Sequence, residues 1–257
     1  MFMWFALFLA VLFGLTTQTP KTETFTIEGT ERQALVYANT QAAPKVDAPL
    51  LLVFHGHGGQ AQFAAQRFRL HELWPQAVVV YLQGVPGVEG ITDKAGAKSG
   101  WQKNPGELQD RDVKFVDAVL ARMAQQYKID TKRVYALGHS NGARFVNVLW
   151  AARGDKFAAF CSASAQGGLL LRDVKPKSIF MIAGEKDPIV PFAGQKLSVD
   201  YVREKLLKTD TAKAKSNGYA RFETGVSGTE LATYLHPGGH EVPQAALPLV
   251  VEFFQRH

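Results

Sequence analysis

Cysteine is nearly absent from this chain. The 257 residues contain one, Cys161, so no disulfide can form within the chain and an oxidising compartment leaves no other mark on it. Cys161 lies in the apolar run Phe157 to Ala163, where a thiol is expected to be buried and inert. Also missing is a spanning hydrophobic stretch: the N-terminal apolar run, Phe2 to Leu15, falls short of the ~20 residues a membrane helix needs. It suits the apolar region of an export signal, so residues 1–18 are expected to be a signal peptide and residues 19–257 a single domain of a secreted or periplasmic protein. No Lys or Arg precedes the run and Leu15-Thr16-Thr17-Gln18 is a poor cleavage site, which keeps an uncleaved anchor as the alternative. No cysteine stands directly after it, where bacterial lipoprotein acylation would need its acceptor. Lys and Arg exceed Asp and Glu, for a net charge of +6, but the cations are scattered. Their densest run, Arg203 to Lys215, alternates with apolar or small residues like a solvated helix face and has no interleaved aromatics. Neither nucleic acid nor a stable membrane partner is expected.

With 46% hydrophobic residues the chain can bury a full core. Thr22 to Glu28 and Gln33 to Ala38 alternate around Gly29-Thr30-Glu31, the pattern of an antiparallel hairpin. Pro49 to Phe54 and Ala77 to Leu82 are apolar throughout, as in strands covered on both faces of a parallel sheet. Helical spacing marks Gln60 to Leu73, Asp110 to Tyr127 (capped by Asp110 or Asp112), Val199 to Leu207 and Gln244 to Phe254. Strands are also expected at Arg133 to Leu137, Phe157 to Ala163, Ser178 to Ala183, Tyr219 to Glu223 and Leu231 to Leu235. This alternation predicts an α/β fold with a mostly parallel, doubly wound sheet and an N-terminal antiparallel hairpin. The connection between residues 163 and 178 leaves no room for a cap domain.

The chemistry centres on Gly138-His139-Ser140-Asn141-Gly142, where a strand turns sharply into a helix. A serine in such a turn is lifted above the sheet edge, with the helix N-terminus aimed at an anion forming beside it. A serine hydroxyl needs a general base oriented by a carboxylate. Asp187 is the expected acid, in the loop after the strand Ser178 to Ala183, with Glu185 as its rival. His240 is the expected base, in the glycine turn after the last strand, with His236 as a weaker alternative. The turn His55-Gly56-His57-Gly58-Gly59 is expected to present the His57 N–H beside that of Asn141 as an oxyanion hole. His55 and His57 lack a third ligand at useful spacing, so no metal is expected. The stretch from Gly84 to Gly106 reads as a long loop bordering the site, with Trp101 as an exposed surface for substrate.

Together the motifs around His55, Ser140, Asp187 and His240, with Arg111 to Val116 and Tyr127 to Tyr135, resemble the α/β-hydrolase fold in its secreted polyhydroxybutyrate depolymerase and feruloyl esterase-like branch. The resemblance covers about residues 48–257. It implies serine ester hydrolysis without a cofactor, acting on feruloyl, acetyl or polyhydroxyalkanoate-type esters, free or polymeric, with Ser140 as nucleophile, Asp187 as acid and His240 as base. Three departures bear on the substrate: Val242 stands where the family often has tryptophan, Arg144 stands where a second glycine is common, and the family's paired cysteines are absent. The rival readings are a prolyl-oligopeptidase-like peptidase and a non-catalytic binding protein on a hydrolase scaffold.

Overall fold

The structure, a computed structural model, describes residues 19–38 and 47–257; the expected signal segment lies outside the described residues. Strands β1 (Lys21–Ile27) and β2 (Thr30–Tyr37) pair antiparallel, burying Phe25, Arg32, Ala34 and Val36 and exposing most of the residues between. The turn uses Glu28 and Gly29, with φ of 49° and 79°. It therefore falls one residue earlier than the sequence pattern suggests, on a pair of left-handed residues whose twist matches the flanking strands.

The continuous apolar runs become β3 (Ala48–Phe54), β4 (Val78–Leu82), β6 (Ala159–Ala163) and β7 (Ser178–Gly184), buried at nearly every position. With β5 (Ile129–His139) and β10 (Glu230–His236) they form a parallel centre in the order β4-β3-β5-β6-β7-β10. The hairpin extends the sheet beside β4. The antiparallel pair β9 (Ala220–Thr224) and β8 (Lys215–Asn217) closes the other edge. Leu50, Leu52 and Phe54 face a core shared with α3 (Arg111–Gln126) and α4 (Asn141–Arg153). Leu51 and Val53 face the opposite core, shared with α1 (Ala61–Phe68) and α6 (Ala246–Gln255). Burial on both faces is why these strands show no polar alternation. Cys161 is buried in β6, and burial pushes its thiol pKa up.

Several local expectations shift. The helical stretch after residue 60 breaks at Arg69 (φ 45°) into α1 and the short α2 (Leu70–Leu73). Neither aspartate caps α3: Asp110 is left-handed and makes no capping bond, while Asp112 is buried against Arg32 at 2.8 Å. Helix α5 (Phe192–Tyr201) begins well before Val199 and runs into a π-helical turn, Val202–Leu206. Strand β8, three exposed residues, carries no apolar signal to announce it. Among the described residues no cap domain interrupts the sheet, and no helix is long and apolar enough to cross a membrane.

Strand β3 has β4 on one side and β5 on the other, so the winding reverses between β3 and β5. In open α/β sheets the crevice at the carboxyl ends of such strands is where ligands bind. Register aligns Phe54 with Gly138, His139 with Ala163, and Gly184 with His236, which brings the loops carrying His57, Ser140, Asp187 and His240 to that one edge.

Candidate active site

Ser140 joins β5 to α4 with φ 57° and ψ −120°, a conformation costly for any residue with a side chain. Its N–H donates to the Ala163 carbonyl (2.8 Å) and its carbonyl accepts from Arg144 N–H (2.9 Å), so strand and helix both hold the turn. The flanking glycines are required by contact. A Cβ on Gly138 would run into the Gly142 carbonyl, and one on Gly142 into the Phe54 carbonyl of β3.

Asp187 and His240 meet from adjacent strands. His240 Nδ1 lies 2.8 Å from Asp187 Oδ2, and the buried carboxylate also accepts from Gln195 Nε2 (2.9 Å) and from the Ile189 and Val190 amides (2.8 and 2.9 Å). Burial alone would raise the Asp187 pKa; the bonds from His240, Val190 and Ile189 outweigh it and hold the carboxyl below its usual range. An ionised Asp187 keeps the proton on His240 Nδ1 and leaves Nε2 free to accept one. The two loops are also joined by backbone bonds, Glu185 N–H to His236 O (2.8 Å) and Lys186 N–H to Gly238 O (3.0 Å). Glu185 is exposed, and His236 is buried, its Nδ1 accepting the Gly238 N–H at 3.1 Å. Neither rival is therefore placed for the chemistry.

The His240 ring lies 4.8 Å from that of His139, the residue before Ser140. No hydrogen bond joins Ser140 to His240 among the described residues, as is common before substrate draws such groups together. Burial, and secondarily the neighbouring His240, lowers the His139 pKa to about 4, so His139 is neutral beside the His240 ring.

On the other side of Ser140, a Cβ on Gly56 would lie 3.3 Å from Ser140 Cβ, which places the β3 turn directly against the serine. The N–H groups of His57 and Asn141 have no acceptor among the described residues. The Asn141 side chain serves a structural purpose: Oδ1 accepts from Trp101 N–H (2.8 Å) and Nδ2 donates to Trp101 O (2.9 Å). His55 is buried, with Nε2 accepting the Gly84 N–H (2.9 Å) and Nδ1 donating to Gly56 O (2.7 Å). Burial lowers its pKa to about 4. His55 and His57 thus have separate engagements, and no group of three or more potential metal ligands occurs among the described residues.

Trp101 is a correction. The expected exposed face is absent: the side chain is 0% exposed, stacks on Phe145 at 5.4 Å and donates its indole N–H to His55 O at 2.9 Å. An irregular loop rich in glycine suggested exposure, but the indole closes the core between the β3 end and α4.

Three further residues shape the site without having been anticipated in those roles. Gln195 supports Asp187 and bonds Val190 O (2.7 Å); its signal is a polar residue on the inward stripe it shares with Ser198 and Val199. Asp93 bonds His57 across 36 residues, a pairing with no local signature. Arg144, one turn into α4, donates to Lys103 O, Gln166 O, Gly167 O and Asn104 Oδ1, tying together the loops on either side of the elbow.

No known family profile matches the chain. It is 31% identical over 156 residues to a protein of Nocardia uniformis subsp. tsuyamanensis provisionally described as the esterase NocK, covering 57% of this chain and 42% of that one. It is 29% identical over 168 residues to the bifunctional acetylxylan esterase/xylanase XynS20E of Neocallimastix patriciarum, covering 64% of this chain and 23% of that one. The chain thus spans less than half the length of either relative. Among solved structures, acetyl xylan esterase from Aspergillus awamori superposes with a TM-score of 0.67 at 12% identity, covering 92% of this chain and all of the other. The strand order, the elbow at the β5 end and this superposition together establish that the chain has the α/β-hydrolase fold.

Proposed function

We propose that the protein is a serine carboxylesterase working through an acyl-enzyme. The observation that carries this reading is the convergence, at one sheet edge, of a serine in a strained turn with a histidine whose Nδ1 is tied to a buried carboxylate at 2.8 Å. His240 Nε2 takes the Ser140 proton as Oγ attacks the ester carbonyl. The oxyanion is received by the His57 and Asn141 N–H groups, and the proton passes to the departing alcohol. Water, activated by the same imidazole, then releases the acid. Donors fixed in place beforehand stabilise the developing charge without reorganising.

The acyl group we favour is acetyl, carried on a carbohydrate. Two observations support it: one sequence relative is described as an acetylxylan esterase/xylanase, and no cap covers the sheet edge among the described residues, which leaves room for a bulky alcohol portion. Turnover of esters that vary acyl and alcohol parts separately tests this. The expected order of kcat/KM places acetylated oligosaccharides above feruloyl esters and 3-hydroxybutyrate oligomers. A preference for either of the latter replaces the acetyl assignment, and hydrolysis of peptides but no ester overturns the esterase reading.

A further inference from the structure

The loop between Gln83 and Glu107 has no regular element beyond one bridge, Val85 to Gly100, yet it is tightly organised around one carboxylate. Asp93, 8% exposed, accepts the Ala97 N–H at Oδ1 (3.1 Å) and the Lys98 N–H at Oδ2 (2.8 Å), closing the loop on itself. Backbone bonds close it as well: the Gly87 N–H donates to Gly96 O (2.8 Å) and the Gly100 N–H to Val85 O (3.1 Å). A third carboxylate bond, between Asp93 Oδ2 and His57 Nε2 at 3.0 Å, reaches out to the turn after β3. The loop is shaped to receive that ring. A Cβ on Gly90 would lie 2.5 Å from His57 Cδ2 and Nε2, and one on Gly100 would lie 2.9 Å from His57 Nδ1 and 3.2 Å from Asn141 Oδ1. His57 Nδ1 is buried without a partner, so Asp93 is the ring's one polar anchor among the described residues.

The turn that Asp93 grips is the one whose N–H is assigned to the oxyanion. Three of its five residues, His55-Gly56-His57-Gly58-Gly59, are glycine, and glycine-rich backbone does not by itself fix the direction of an amide. The same loop grips the turn on the far side of His57: Gly58 N–H donates to Ser99 O (2.7 Å) and Ser99 Oγ–H to Gly59 O (2.6 Å). Resting on the esterase reading above, we propose that Asp93 and His57 form a second carboxylate–imidazole pair, which acts by positioning. It clamps the His57 side chain so that the backbone N–H of the same residue points at the oxyanion beside that of Asn141. Asp93 is then a positioning residue for the transition state, acting through His57 and touching no reacting atom.

Gly90→Ala separates this role from loop closure, because it pushes the ring off Asp93 while leaving the Ala97 and Lys98 bonds in place. Asp93→Ala removes both functions, and Asp93→Asn retains a side chain that can still bond the ring. The measurements are kcat and KM on the best ester, the inhibition constant of a trifluoromethyl ketone whose serine adduct carries the oxyanion, phosphonate labelling of Ser140, and melting temperature. Loss of one oxyanion donor typically lowers kcat by about 10²–10³, and a misdirected donor should lose part of that. We expect Gly90→Ala and Asp93→Ala to lower kcat by about tenfold or more with KM within about twofold. The ketone inhibition constant should rise by the same factor, and Asp93→Asn should recover most of the rate. A stably folded Gly90→Ala with unchanged kcat and ketone affinity overturns the proposal, as does a loss confined to melting temperature. Should Gly90→Ala not fold, the same comparison of Asp93→Ala with Asp93→Asn decides. A wild-type protein that hydrolyses no ester and leaves Ser140 unlabelled refutes the esterase reading itself, a result distinct from active variants that match the wild type.

Discussion

The proposed acid–base side of the site and its proposed oxyanion side are assembled by different means. Asp187 and His240 sit on short loops after the adjacent strands β7 and β10, joined by backbone bonds that continue the strand pairing. The oxyanion side is assembled across long stretches of sequence by side chains bonding to backbone. Trp101 Nε1 holds His55 O, Asn141 brackets Trp101, and Gln102 is fixed from both ends by Asp112, which is itself paired with Arg32 in the core. The guanidinium of Arg32 also lies over the Phe115 ring at 4.3 Å. Positions that follow from strand register tolerate loss of one side chain structurally. Positions that depend on a buried polar network do not, because each missing partner strands another polar group. Substitutions at Asp187 and His240 should therefore cost rate, and those in the buried network of Trp101, Gln102, Asp112 and Arg32 should cost stability before rate.

The sharpest way to break this contrast is Asp187→Asn. With the amide oxygen turned to the Ile189 and Val190 N–H groups, the amide NH₂ faces His240 Nδ1 and favours the tautomer protonated at Nε2, which cannot accept the serine proton. We expect kcat to fall by about 10³–10⁴, with a melting-temperature change of no more than a few degrees, read by steady-state kinetics and calorimetry. A large loss of stability with little loss of rate would reverse the assignment of the two sides. Trp101→Ala tests the other half. Emptying a fully buried indole site should cost about 3–5 kcal/mol, seen as a lower urea midpoint. Residual kcat/KM should fall by the same factor for acetyl and bulky acyl esters; a loss confined to bulky esters would restore a substrate-binding role for Trp101.

A smaller effect is expected from acid. Burial lowers the His55 pKa from 6.5 to about 4, so the unfolded chain binds this proton more readily than the native one. The stabilisation is fully present above pH 6.5 and is lost as pH falls toward 4. By pH 5 it should have diminished by about 2 kcal/mol. Urea unfolding at pH 7 and pH 5 measures this together with the like contribution of His139, and His55→Gln, whose side-chain oxygen can still accept the Gly84 N–H, should remove the His55 share of the difference. An unchanged difference in that variant would place the acid sensitivity elsewhere.

The same division governs what could be read from sequence. The parallel strands, the elbow at Ser140 and the loops of Asp187 and His240 were legible because each has a local cause: an unbroken apolar run, glycines two positions either side of a serine, a loop that follows a strand. The bond from Asp93 to His57 and the burial of Trp101 were not, since both depend on residues distant in sequence. Asp112 shows the conflict within one residue. At the start of a helix it resembles a cap, yet Arg32, 80 positions earlier in the chain, draws it into the core. Gln195 stands between these cases, visible as a polar interruption of an inward helix stripe, although its partner Asp187 could not be named from that alone.

The central claim is that Ser140 is the nucleophile that the Asp187–His240 pair serves, and covalent labelling tests it most directly. A fluorophosphonate should add one adduct per wild-type chain, mapped by mass spectrometry to the peptide containing Ser140, with none in Ser140→Ala and markedly slowed labelling in His240→Ala. Labelling that persists undiminished in Ser140→Ala would contradict the account and place the reactive group elsewhere.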